Sequence, residues 1–152
     1  MRKILIIVLL ILFCPPVFAA STANEDSLKA AFIFHFINFT EWNDDQSTYF
    51  VCIPDDEALR ETARQSFTGK TVNNRSISVV NRREGCHILV SDNAPEEDNT
   101  LTIGHLNKGA LFEFRLIDNK MKFAVNLDGV KNSKLKISSQ LLKLAIMGNI
   151  VP

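Results

Sequence analysis

The sequence predicts a single α/β domain with a central mixed, partly parallel sheet flanked by helices. Three observations carry this. Residues 49–53 are a continuous apolar run, the pattern of a strand covered on both faces. A helix opening at Pro54-Asp55-Asp56 and running to about Gln65 follows it, and two short strand-like runs come next, residues 77–80 and 86–90. Strand, helix, strand, strand in that order calls for some parallel pairing, because a parallel neighbour needs a crossover between the two strands. Further on, residues 111–117 and 121–127 both alternate apolar with polar around Asp118-Asn119-Lys120, which reads as a hairpin.

The chain opens on Arg2 and Lys3, an apolar run over residues 4–13, the breakers Pro15 and Pro16, and then Val17-Phe18-Ala19. A positive start, a short apolar stretch and small residues at the last and third-last positions make residues 1–19 a secretory signal peptide cleaved after Ala19. The run is shorter than a bilayer-spanning helix requires. Phe13 before Cys14 does not suit lipidation. Cleavage would leave 133 of 152 residues, enough for one domain with its own core. It also turns 17 basic against 17 acidic residues into 15 against 17. No basic block remains, which argues against nucleic acid as a partner. No second apolar stretch approaches twenty residues, so the mature chain is expected not to span a membrane.

Residues 27–42 contain four of the eleven phenylalanines and the only tryptophan, with no Gly or Pro. A helix of about four turns is allowed over this whole stretch. At about 100° per residue, His35, Asn38 and Glu41 form one polar stripe, while Phe32, Ile33, Phe36 and Phe39 fall on the opposite, core-facing side. Phe34 lands inside the polar stripe. An aromatic in that position is either covered by another part of the chain, for which the closing helix over residues 141–147 is the candidate, or it faces a partner.

Later elements follow from local chemistry. Asp56 and Glu57 suit a helix N-terminus, and Thr68-Gly69-Lys70 ends that helix. Asp92 to Thr100 is acidic, contains Pro95 and reads as loop. Residues 101–104 form a very short strand. Ser138 or Ser139 caps a last amphipathic helix running through Met147, with Gly148 as its stop. Cys14 leaves with the signal, so Cys52 and Cys86 remain. An even pair in an exported, oxidising compartment is expected to form a disulfide.

Catalytic signals are missing. His35, His87 and His105 have no metal-ligand spacing, and no glycine-rich phosphate cradle or nucleophile elbow occurs. The runs Asp55-Asp56-Glu57 and Glu96-Glu97-Asp98 read as a helix start and a solvated loop. No cofactor, metal or catalytic residue is therefore expected.

Four segments in order resemble the YfiR-type family of periplasmic regulators. Residues 28–42 are similar to its opening helix, L-K-A-A-Y-x-x-x-F-x-x-F-x-E-W, with Phe32 and Phe34 where tyrosine is usual. Gly69-Lys70-Thr71-Val72 with Arg75 and Ile77 is similar to G-K-x-V-x-x-R-x-I. Cys86-His87-Ile88-Leu89 is similar to C-H-I-L, and residues 123–127 with 135–145 are similar to the closing segment. The resemblance implies that residues 20–152 are one YfiR-like periplasmic domain of a Gram-negative cell, and that it is not an enzyme. It implies a homodimer that binds the periplasmic part of YfiN, an inner-membrane diguanylate cyclase, and represses it, controlling cyclic-di-GMP and biofilm formation. The polar helix face around Phe34, with His35, Asn38 and Glu41 and with Trp42 at its edge, is the expected interface with a second copy or with the partner's periplasmic domain. The alternative is a periplasmic small-ligand-binding module, with its pocket at the carboxyl ends of the strands near Pro54-Asp55 and Ser91-Asp92. An exported hydrolase is the third and least supported reading.

Processing is directly measurable. Mass spectrometry of the exported protein should give a chain beginning at Ala20; an intact N-terminus in the membrane fraction would refute the cleavage.

Overall fold

The computed structural model of the protein describes residues 19–94 and 97–145. The expected signal peptide, apart from Ala19, and the expected stop at Gly148 lie outside these residues. The last helix, expected to run through Met147, ends at Leu144 with Ala145 as its extended C-cap. Among the described residues the chain forms α1 (Ala19–Asn38), β1 (Thr40–Glu41), β2 (Thr48–Cys52), α2 (Glu57–Phe67), β3 (Thr71–Val72), β4 (Arg75–Val80) and β5 (Ile88–Val90). There follow β6 (Leu101–Ile103), β7 (Phe112–Ile117), β8 (Lys120–Val125), α3 (Leu127–Asn132), β9 (Lys136–Ile137) and α4 (Ser139–Leu144).

Seven strands make one mixed sheet in the order β3-β4-β2-β5-β6-β7-β8. The expected α/β architecture is what the chain adopts. β2 pairs in parallel with β4 on one side and β5 on the other, through Val51↔Val79 and Val51↔Ile88. β5, β6 and β7 continue in parallel, and β3 and β8 close the edges in antiparallel. The apolar run of β2 is explained by this position at the centre of the sheet. Among the described residues no helix is long and apolar enough to cross a membrane.

Turn chemistry sets both edge hairpins. Asp118 and Asn119 have φ of 49° and 61°, and Asn73 and Asn74 have φ of 51° and 62°. Two successive left-handed residues make the tight turn whose twist matches a hairpin, and Asn and Asp tolerate it best. The expected hairpin thus turns on two residues, with Lys120 already in β8. The Asn73-Asn74 hairpin and α3 are elements that the sequence reading did not anticipate.

The first helix corrects the expectation most. It stops at Asn38 instead of continuing to Trp42. Thr40 and Glu41 extend and pair with Ile137 and Lys136, and Ser138 N–H donates to the Phe39 carbonyl at 2.9 Å. Leaving the helix lets Trp42 turn inward, where it is buried and its indole N–H donates to the His87 carbonyl at 3.2 Å. One more helical turn would forgo this burial, and propagation adds too little per residue to compete.

Ala30, Ile33, Phe36 and Ile37 of α1 are fully buried. Phe36 sits 4.8 Å from the Phe112 ring and 5.0 Å from the Phe123 ring, centroid to centroid. Phe32 reaches Phe114 and Phe123 while only half buried. Phe39, expected on the core face, is half buried and stacks on His35 at 6.4 Å. α2 packs Leu59, Ala63 and Phe67 inward at helical spacing, and it runs two residues past the expected Gln65. Asp56 is its N-cap, accepting the Leu59 N–H at 2.9 Å. The last helix starts as expected, with Ser138 accepting the Gln140 N–H.

Cys52, at the end of β2, and Cys86, just before β5, form a disulfide with a Cα–Cα distance of 5.9 Å. With Leu89 and Ala94 they make a small second core. Their separation of 34 residues corresponds to a loop-closure stabilisation of about 3–4 kcal/mol in the chain-entropy model. Cys86→Ser should lower the free energy of unfolding by roughly that amount in urea melts. Stability equal to wild type would show that the bridge is not formed in solution.

Candidate functional site

Three places on this scaffold carry polar chemistry: the outward face of α1, the amino ends of the central strands, and their carboxyl ends.

His35 and Asn38 on α1 are exposed, as the helical stripe requires, and Glu41, which the stripe placed on the same helix, is exposed on β1. Asn38 caps locally, its side-chain amide donating to the Phe34 carbonyl at 2.8 Å. Phe34 is half buried. Its ring packs 5.9 Å from Phe67 at the end of α2, with the Lys70 ammonium 5.0 Å from its centroid. Its intramolecular neighbour is thus α2, where the sequence reading named the closing helix. Trp42, expected at the edge of this face, is only 6% exposed, so four of the five named interface residues reach the surface and the fifth is core. A helix that turned into a strand could not have been read from the 100° spacing.

The amino ends hold a buried polar cluster that sequence reading missed. His87 Nδ1 accepts the Phe50 N–H at 2.9 Å. A neutral ring therefore carries its proton on Nε2, which faces Asp44 Oδ2 at 3.0 Å. Arg75 donates to Asp44 Oδ1 at 2.8 Å, and its guanidinium lies 3.8 Å from the centroid of the Tyr49 ring. Trp42 and Tyr49 meet the imidazole edge-on at 5.6 and 5.4 Å. Asp44, Arg75 and His87 come from three separate segments, so no local motif announces them. The backbone N–H groups of Phe50 and Gln46 complete it, the buried Arg75 Nε has no partner among the described residues, and no hydroxyl nucleophile joins its hydrogen bonds. It braces β1, β2, β4 and β5.

Burial drives the His87 imidazole below its ordinary 6.5, more than Asp44 raises it. Burial alone would raise the Asp44 carboxyl, but the Gln46 N–H and the contacts with His87 and Arg75 hold it below its ordinary 3.8.

The carboxyl ends open into a cleft of about 420 Å³. It lies where β2 sends the chain to β4 on one side while β5 lies on the other, a switch point of the kind that binds ligands in parallel sheets. α1 supplies Glu25 and Lys29 to its wall, the start of α2 supplies Asp55, Asp56 and Glu57, and the ends of β5 and β6 supply Asp92 and His105. Leu59, Val90, Ile103, Phe114 and Met121 form an apolar lining. At its base Arg83 donates from Nη2 to both oxygens of Asp55, at 2.6 and 2.7 Å, and from Nη1 to the buried Ser91 hydroxyl at 3.0 Å. Ser91 donates to Asp55 Oδ2 at 2.7 Å. This hydroxyl first, and Arg83 after it, hold the Asp55 carboxyl below the usual range. Gly104 is required beside it, since a Cβ there would sit 2.2 Å from the Ser91 carbonyl oxygen. Among the described residues no group of three or more His, Cys, Asp or Glu side chains could hold a metal ion. The cleft stands where the ligand-binding alternative expected a pocket, and it includes the named Asp55, Ser91 and Asp92.

The fold and these sites define an α/β domain that presents a polar helix face and a strand-end cleft. Residues 26–146 match the family described as YfiR/HmsC-like, and the chain belongs to that family. Membership makes it, in general terms, a periplasmic regulator of cyclic-di-GMP signalling, from a family of regulators and not of enzymes. No curated protein matches the chain significantly.

The buried cluster sets the acid response. The unfolded chain binds a proton at His87 at a higher pH than the folded chain, so stability falls as pH drops from about 6.5 toward the lowered folded value. Asp44 has the same sign lower down, its contribution being lost as pH falls through its own depressed value. Urea melts between about pH 5 and pH 6.5 should show this loss. His87→Gln, which can still accept the Phe50 N–H, should be less stable at neutral pH but lack that slope. An unchanged slope in the variant would assign the effect elsewhere.

Proposed function

We propose that the chain is a periplasmic repressor of an inner-membrane, YfiN-like diguanylate cyclase, bound through the outward face of α1. In this reading residues 20–152 are the mature domain, exported by the signal peptide, and the protein acts as a homodimer. Membership of the YfiR/HmsC-like family carries the proposal. The exposed stripe of His35, Asn38 and Glu41 beside the half-buried Phe34 supports it, because a regulated interface combines an apolar contact with a polar rim. The partner would be the periplasmic domain of the cyclase, and release would raise cyclic-di-GMP and favour biofilm.

The test is pairwise binding between the mature chain and the periplasmic domain of a co-encoded membrane cyclase. Asn38→Arg and Glu41→Arg should each weaken binding by about tenfold or more while leaving the melting temperature within a degree or two, since both side chains are exposed. Loss of the gene should raise cellular cyclic-di-GMP. Full binding by both variants would remove the α1 face and the adjoining β1 from the interface, and unchanged cyclic-di-GMP would remove the repressor role.

A second reading, a small-ligand-binding module, is favoured by one observation: the 420 Å³ cleft at the switch point, a volume within the range of small-molecule sites.

A further inference from the structure

The strand-end cleft has a definite chemical character. Its lining carries six carboxylates, from Glu25, Asp55, Asp56, Glu57, Asp92 and Glu113, against one ammonium, Lys29, and the imidazole of His105. Three of the six have strong cationic partners: Glu25 with Lys29 at 2.8 Å, Asp55 with Arg83, and Glu113 with Arg115 at 3.3 Å. Among the described residues Asp92 pairs only with His105, at 3.6 Å. Asp56 and Glu57 take part in no ion pair among the described residues.

The start of a helix normally draws anions. Here that role is filled from within, because Asp56 accepts the Leu59 N–H and Glu57 stands in the first turn of α2. A second anion would meet three acidic side chains in succession. The carboxyl of Asp26 records the same field: burial, and then the nearby Asp56, raise it above its ordinary 3.8. The acidic groups do not converge as metal ligands. Between them lies an apolar lining that includes Val90, Ile103, Phe114 and Met121, with Leu116 58% exposed at the same cleft. Apolar area next to unneutralised carboxylates fits neither an inorganic cation nor a sugar. It fits a molecule with one apolar part and one positive end.

We propose that this cleft binds a small organic cation, an amine carrying an aliphatic or aromatic group. The ammonium would stand by Asp56, Glu57 and Asp92, and the apolar group would lie on Ile103, Phe114 and Met121. The inference deepens the ligand-binding reading and rests on it. It is separate from binding through the outward face of α1.

The experiment titrates the mature protein with 2-phenylethylamine, hexylamine and phenylacetate by calorimetry. The amines should bind saturably and phenylacetate should not. The double variant Asp56→Asn, Glu57→Gln should bind the amines about tenfold more weakly, the scale of a lost charge-assisted contact. Asn keeps the helix cap, so the variant's melting temperature serves as the check on folding. Met121→Glu, which places a charge on the apolar lining, should also weaken binding of the amines. No saturable binding by any of the three probes would overturn the ligand reading itself. Binding of phenylacetate in place of the amines, or equal binding of the amines by the double variant, would overturn the cationic assignment alone.

Discussion

The seating of Phe36 on the sheet is the contact on which the rest of the domain depends. Its ring is fully buried between Phe112 and Phe123, and the Phe32, Phe114 and Phe123 rings continue the same cluster. An aromatic of this size contributes about 1.5–3 kcal/mol by burial alone, and ring pairs add to it. This packing fixes how α1 lies across the sheet. Its first turns then reach the carboxyl ends of the strands, where Glu25 and Lys29 become a wall of the cleft. Its outward stripe turns to solvent, and its last residues deliver Trp42 to His87.

The two ends of the central strands have opposite electrostatic designs. At the amino ends, Asp44 accepts from Arg75 at 2.8 Å and faces His87 Nε2 at 3.0 Å, while the buried Arg75 Nε has no hydrogen-bond partner among the described residues. Such a set gains little net stability, because desolvation offsets attraction, but losing one member leaves a buried group without its partner. Its effect is to specify how β1, β2, β4 and β5 come together. At the carboxyl ends the groups remain partly hydrated and partly unmatched, with apolar surface beside them. An end that is already neutralised is suited to structure, and an end that is not is suited to recognition.

Phe34 shows how the two kinds of surface meet. It shares a stripe with polar residues, yet its ring rests on Phe67 and beneath Lys70. α2 therefore takes part of its apolar area from water and leaves the rest beside His35 and Asn38. A partly covered aromatic costs less than a fully exposed one, so the domain can keep it beside the exposed His35 and Asn38.

The sequence by itself determined what depends on neighbours along the chain. The mixed sheet, the apolar centre strand, a hairpin at Asp118-Asn119-Lys120, a cap at Ser138 or Ser139 and the exposed face of His35 and Asn38 all follow from periodicity and turn chemistry. The two cysteines could be paired because only two lie beyond the expected signal segment. The tertiary structure decided what depends on distant residues. Trp42 meets the His87 carbonyl across 45 positions, and that burial, with the pairing of Thr40 to Ile137, ends α1 four residues early. Asp44, Arg75 and His87 lie 12 to 43 positions apart, so no spacing rule unites them. The cleft was foreseeable as a place, since strand order marks the switch point. Its acidic and apolar character was not, because α1, α2 and the β7–β8 hairpin contribute to it only once the sheet has brought them to one end.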